Sequence, residues 1–197
     1  MVQFDPMKVA AFDGIFNKGT EGVTQGELQS MGGYDRFHIE GGYSIDSKSL
    51  YGGLPVNVGI AAKGAQTMGS AVRRATTAAE VSGFVISTQM FNAIQVPGGA
   101  GVVSKGMGVQ FGRFGSGVRV AVQIDPALAE TLYGGGAQPA NGLGWDYTNN
   151  KLIAAATAAD KLPITVTALY PDSFILVEDA VTGFVSQAMG AAAVIQL

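Results

Sequence analysis

The only histidine, His38, is the first residue to weigh as a chemical group. A histidine-based general base, triad or metal site needs positioned partners. Arg36 and Glu40 stand close enough in sequence to orient an imidazole, but Phe37 and Ile39 make the stretch a short alternating segment. That pattern places His38 at a surface or an interface, not in a catalytic centre. The carboxylates of the second half (Asp125, Glu130, Asp146, Asp160, Asp172, Glu178 and Asp179) are scattered, with Asp172, Glu178 and Asp179 the tightest group. A paired-carboxylate hydrolase assembles its acids in space, not in sequence, and Asp146, Asp172 and Glu178 are the candidates for one. The simpler reading of Glu178-Asp179 is a turn at a strand end.

The glycine-rich stretches fit no phosphate loop. GGAGVVSKG lacks the Gly-Lys-Ser/Thr ending, and the GxGxxG spacing does not occur. Neither does a GxSxG elbow, an SxxK pair or an acidic calcium loop. There is no cysteine, hence no disulfide framework and no zinc-thiolate site. The expectation is a protein that is not an enzyme and needs no cofactor or metal. Trp145 and Tyr147 alternate across Asp146, so both can face a core, a commoner use than stacking on a sugar. Arg73-Arg74 is the only basic doublet. Two charges do not make a nucleic-acid patch, and an ion pair with a neighbouring carboxylate explains them better.

The elements that would carry these residues are mostly strands. GVRVAVQID, residues 117–125, is the clearest: Val118, Val120, Val122 and Ile124 fall on one face, and Arg119, Ala121, Gln123 and Asp125 on the other. Alternation at period two predicts a strand with one buried and one wet side, as in an antiparallel sheet. ITVTALY, 164–170, alternates in the same way, and Phe174 to Glu178 and Ala191 to Leu197 supply closing strands. Residues 71–80, AVRRATTAAE, suit either a helix or a strand with a loop. Gly83 reads as a bulge or bend in a strand from Val81 to Phe91. Asp125 followed by Pro126 predicts an N-cap and a short helical turn. Asn149-Asn150 between two apolar runs predicts a hairpin. The fold class expected is mainly β, an antiparallel barrel or jelly-roll-like sandwich over residues 51–197, with at most one or two short helices.

Residues 1–50 have a different texture. Glycines at 14, 19, 22, 26, 32, 33, 41 and 42 recur too often for a stable helix or regular sheet. Phe4, Phe12, Ile15, Phe16, Tyr34, Phe37, Ile39 and Tyr43 are too apolar and aromatic for a solvated linker. Extended chain with spaced aromatic anchors suits an arm laid across another surface, either of its own domain or of a neighbouring chain.

Charge is scarce and uneven. The net charge is −3, which gives no electrostatic ground for binding nucleic acid. Residues 51–197 hold eight acids and eight bases among 147 residues, where about a quarter of residues is ordinarily charged. Interface cores are depleted of charge, so much of this surface is expected to lie against other chains. The N-terminal stretch, interrupted by Asp5, Pro6, Lys8 and Asp13, does not read as a leader. The longest uncharged run, 81–104, is too polar for a membrane span.

In order along the chain stand GLPVNVG (53–59), VSGFV (81–85), GVRVAV (117–122), the Trp145-Asp146 hairpin and the terminal AVIQL. This order resembles that of the cement or head-decoration proteins of tailed bacteriophages, over roughly residues 50–197. The resemblance implies a small β-barrel or jelly-roll-like fold. It implies assembly as a homodimer, or a trimer, on the outside of a capsid, made in the host cytoplasm, where it clamps neighbouring major capsid subunits. Phe4, Phe12, Ile15, Phe16, Tyr34 and Phe37 of the arm, with Arg73, Arg74 and Arg119, are the expected partner contacts. Two alternatives stay open: a tail or head-fibre component, and a carboxylate hydrolase or lectin-like sandwich.

Overall fold

The structure, a computed structural model, describes residues 23–29, 38–65, 68–87, 101–135 and 138–197. Among the described residues it is mainly β, with a closed five-stranded barrel, one helix and two lone 3-10 turns. The strands are β1 (Ile39–Ser44), β2 (Pro55–Gly59), β3 (Ser70–Arg74), β4 (Gly83–Val85), β5 (Gly108–Arg113), β6 (Arg119–Gln123), β7 (Leu143–Asp146), β8 (Lys151–Ala154), β9 (Thr165–Glu178) and β10 (Val185–Gln196). Helix α1 (Pro126–Gly135) follows β6. The barrel runs β1-β3-β2-β4-β5, a three-stranded sheet runs β6-β10-β9, and β7 pairs with β8.

The barrel departs from an all-antiparallel design at one seam. β1 and β3 run parallel, with Tyr43 opposite Ala71, and the other barrel pairs are antiparallel. Residues 71–80 resolve as β3 and then a 3-10 turn, Ala78–Glu80. The Thr76-Thr77 pair leads into that turn, as weak helix formers do. At Gly83 there is no bulge. It pairs in register with Arg113, and a Cβ there would lie 2.0 Å from the Gly112 carbonyl oxygen. β4 and β5 approach so closely that only glycine fits.

β6 behaves as its alternation predicts on one side. Val118, Val120, Val122 and Ile124 are fully buried, together with Phe84, Trp145, Leu152 and Ile195. Phe84 meets Trp145 edge to face, ring centres 5.4 Å apart. The other side is less wet than alternation implies. Ala121 is buried too, in a small cluster with Val23, Ala192 and Val194. Asp125 caps α1, its Oδ1 accepting from the Ala127 N–H at 3.0 Å. Asn150 turns the β7–β8 hairpin at φ 54°, a conformation Asn tolerates.

What looked like two strands near the C-terminus is one. β9 runs through Pro171 because the proline sits where the ladder shifts: Tyr170 faces Ala192, and the next pair is Ser173 with Gly190. Two residues of β9 there oppose one of β10, so Pro171 withdraws no ladder hydrogen bond. The bulge divides the hairpin between two duties. Its near half pairs alongside β6, and its far half sends Leu176 and Val185 into the barrel core.

The boundary expected at residue 50 does not separate an arm from a domain. β1 is a barrel strand, and Leu50 is fully buried and bridges to Val103. Residues 23–29 also lie on the β-structure. The alternation Phe37-His38-Ile39 heralded β1, but the glycines around it masked the strand.

Gly83→Ala should lower stability by about 2–3 kcal/mol, read as a shift in urea midpoint. Gly41→Ala is the control, since a Cβ there meets nothing within 4 Å, and it should change stability by no more than about 0.5 kcal/mol.

Candidate functional site

Side chains alternate along β3, so Arg73 and Arg74 part company. Arg73 points outward, with weak exposed links to Glu80 (3.3 Å) and Asn57 (3.4 Å). Arg74 turns inward and holds three things at once. Its Nη1 donates to Glu178 Oε2 at 2.5 Å, and its Nη2 donates to the Ser49 carbonyl. Its guanidinium lies over the Tyr51 ring, 5.4 Å from the centre. The Arg74 backbone N–H donates to Asp46 Oδ2 at 2.7 Å. The Arg74 and Glu178 side chains keep only 14% and 11% of their exposure, so neither is a surface charge. The pair ties β3 of the barrel to the far end of β9.

Beside this joint lies a groove of about 450 Å³. Lys48 and Arg73 stand on its rim, and Tyr147 and Asn150 line it from the β7–β8 hairpin. Burial pushes the Tyr147 hydroxyl up to about 12, with Asp160 and Glu80 adding to the rise. Burial pushes Tyr51 up too; Arg74 opposes that and Glu178 reinforces it. Both phenols therefore stay protonated at neutral pH. The groove carries charge of both signs, Asp46 beside Lys48 and Arg73.

Two of the carboxylates named for hydrolysis, Asp146 and Glu178, are engaged in structural bonds. Burial acts to raise Asp146, but the side-chain and backbone hydrogen bonds of Asn149 and the Thr148 N–H, with Lys151 nearby, hold it below its ordinary range. It forms the hairpin turn, accepting from Thr148 N–H at 2.9 Å and Asn149 Nδ2 at 2.7 Å. Glu178 is committed to Arg74. Asp172 is exposed on β9 beside the bulge. Asp125 is held low by its hydrogen bond with Lys151, and Asp179 by the Thr182 backbone and side chain of its turn. Carboxylates held low are poor proton donors at neutral pH, the opposite of what a general acid requires.

Arg119 is half-buried on β6, in a different sheet from Arg73 and Arg74. The structure therefore brings Arg73 to an exposed rim, uses Arg74 internally, and places Arg119 elsewhere. Phe4, Phe12, Ile15, Phe16, Tyr34 and Phe37 lie outside the described residues. His38, next to β1, is exposed.

Sequence reasoning missed Gln25, which is fully buried. Its Nε2 donates to the Gly52 carbonyl at 3.1 Å, and its Oε1 accepts the Leu176 N–H at 2.8 Å. Only Gly26 beside it gave a sign, and that sign read as a break in structure. Comparison with protein-family models, with curated proteins and with solved structures found no match.

Arg74→Ala leaves Glu178 buried without its partner and should cost about 3–5 kcal/mol. The Arg74→Ala/Glu178→Ala pair should cost clearly less than the two single changes added together, because they share one interaction. A double-mutant cycle by chemical denaturation reads both. Asp125 supplies a pH test. Its folded-state pKa is depressed, so its contribution is present above the unfolded value, about 3.9, and is lost as pH falls through the folded one. Asp125→Asn should therefore flatten the fall in stability below about pH 4, measured by thermal melts across pH 2–6.

Proposed function

We propose that this chain is a virion structural protein that binds the outside of an assembled phage capsid and bridges neighbouring major capsid subunits. The observation that carries this reading is the tip of the β9–β10 hairpin. Val177, Val181 and Phe184 are exposed there, Val181 at 94%, and Met189 is exposed further along β10. A β-turn tip rich in uncovered apolar side chains is costly in water and is expected where another chain covers it. The scarcity of charge between residues 51 and 197 points the same way, since a shell contact needs area and shape, not catalysis. A protein that binds only the assembled shell stabilises it by mass action. The exposed Arg73 and Lys48 supply polar contacts at the edge of such an interface. In this reading the chain acts as a homodimer or trimer, each copy contributing one hairpin tip.

The test is co-sedimentation of the purified protein with mature phage heads stripped of it. The natural chain should pellet with heads and raise their melting temperature. Val181→Asp/Phe184→Ser should bind at least tenfold more weakly, about 1.4 kcal/mol, with the protein's own melting temperature unchanged. Equal binding by that variant would remove the hairpin tip as the contact. Removing residues 1–22, which include none of the described elements, should also weaken head binding.

A further inference from the structure

The tip of the β9–β10 hairpin stands on a fixed base. Glu178 and Val185 face each other across the ladder. Glu178 is held by Arg74 of β3, and Val185 is buried in the barrel core. The residues between them, Asp179-Ala180-Val181-Thr182-Gly183-Phe184, are all exposed.

An exposed connection is ordinarily the mobile part of a fold, but this one is bonded within itself. Asp179 Oδ1 accepts from the Val181 N–H at 3.0 Å, the Thr182 N–H at 2.6 Å and the Thr182 hydroxyl at 2.7 Å. The Asp179 N–H donates to the Phe184 carbonyl at 2.9 Å, and the Gly183 N–H to the Asp179 carbonyl at 2.8 Å. Thr182 Oγ1 accepts in turn from the Phe184 N–H at 3.3 Å. Gly183 closes the turn at φ +69°, in the left-handed region that suits glycine.

Side chains are allotted here in the reverse of an ordinary surface turn. The polar ones, Asp179 and Thr182, bond the tip's own backbone, while Val181 and Phe184 project. Docking an unrestrained loop costs the ordering of each backbone unit and side chain that becomes fixed. A tip bonded in this way has lost much of that freedom before contact, and a rigid shape favours a partner with a matching hollow. The chemistry favours protein over lipid. No lysine or arginine lies between Thr165 and Leu197, where the only charges are Asp172, Glu178 and Asp179, whereas segments that settle on a membrane surface draw on basic residues. We propose that Asp179 is the positioning residue of the hairpin tip, holding Val181 and Phe184 as a preformed apolar knob for a complementary hollow in a partner protein shell. This rests on the reading of the tip as the capsid contact and adds a residue that acts through the tip's shape.

Full-length variants are titrated against mature phage heads stripped of the protein, and the free chains are followed by amide hydrogen exchange. Asp179→Ala removes the bonds to Oδ1 and leaves Val181 and Phe184 in place. Its tip amides should exchange about tenfold faster, and it should bind heads about tenfold more weakly. Exchange in β6 should stay as it is, which separates a loosened tip from a destabilised fold. Asp179→Asn keeps an acceptor oxygen at that position and should restore most of the affinity. Gly183→Ala changes neither charge nor the projecting side chains, and it should weaken binding as Asp179→Ala does. If Asp179→Ala binds heads like the natural chain while Val181→Asp/Phe184→Ser does not, the capsid contact stands and the positioning role is overturned. If Asp179→Asn binds as weakly as Asp179→Ala, the partner reads the charge, and the positioning role is again overturned. Unchanged exchange in the Asp179→Ala tip overturns the hold itself. Normal binding by Val181→Asp/Phe184→Ser overturns the tip as the contact, and the role of Asp179 falls with it. Pelleting of the natural chain, but not of Val181→Asp/Phe184→Ser, with vesicles of phosphatidylethanolamine and phosphatidylglycerol overturns the protein hollow.

Discussion

The fold depends most on the burial of one face of β6. Val118, Val120, Val122 and Ile124 are within 1% of full burial, and what covers them comes from every part of the molecule: Phe84 from the barrel, Trp145 and Leu152 from the hairpin, Leu128 and Leu132 from α1, Ile195 from β10. Each buried aliphatic side chain contributes roughly 1.5–3 kcal/mol, and the four share one seam. β6 is also where hydrogen-bonded partners converge. β10 pairs along one edge, residues 27–29 along the other, and the chain beyond its end bridges from Ile124 to Leu152. Loss of this face would detach the β7–β8 hairpin, α1 and the terminal strand from the barrel together.

The second dependency is electrostatic and lies at the opposite end of β9. A buried Arg–Glu pair is poor evidence of net stabilisation, since desolvating both groups offsets most of their attraction. What Arg74 and Glu178 supply is position. The far half of the β9–β10 hairpin has few apolar anchors in the barrel, chiefly Leu176 and Val185, and apolar contact alone does not fix register. An arginine that reaches Glu178, Ser49 and the Tyr51 ring at once admits one placement of the hairpin. The bulge at Pro171 aims the strand, and the ion pair fixes where it lands. Together they determine where Val181 and Phe184 project.

Much of the local structure could be read from the residues, because it rests on local physics. The β6 alternation, the Asp125 cap and the Asn149-Asn150 turn each depend on a few consecutive residues, and each is present. Other features rest on pairings that no short window contains. Arg74 meets Glu178 across 104 positions, and β1 lies parallel to β3 through a crossover that leaves no periodic trace. Glycine misled in both directions. Gly41-Gly42 lies within a barrel strand, where local preference argued against one, and Gly83 marks close backbone approach where a bend was the expectation. The candidate site was the least legible part. Arg73-Arg74 was visible as a doublet, but that one faces outward and the other inward follows only from their strand and its burial.

Gln25 shows why the first fifty residues resisted interpretation. A fully buried amide is costly unless both of its ends are satisfied, and its partners are backbone groups of Gly52 and Leu176, which have no side-chain signature. The glycines that make room for it resemble those of a flexible arm, and composition cannot tell the two apart. The distinction is nevertheless physical. Glycines of a flexible arm tolerate substitution, whereas Gly26 and Gly52 sit so close that a Cβ on either would strike the other's backbone or Ser87. The segment is specified as sharply as a core strand while being joined to the domain chiefly by hydrogen bonds, with Val23 its only fully buried apolar side chain. Tight specification with little apolar burial makes a contact set by hydrogen bonds and close backbone approach, and not by area.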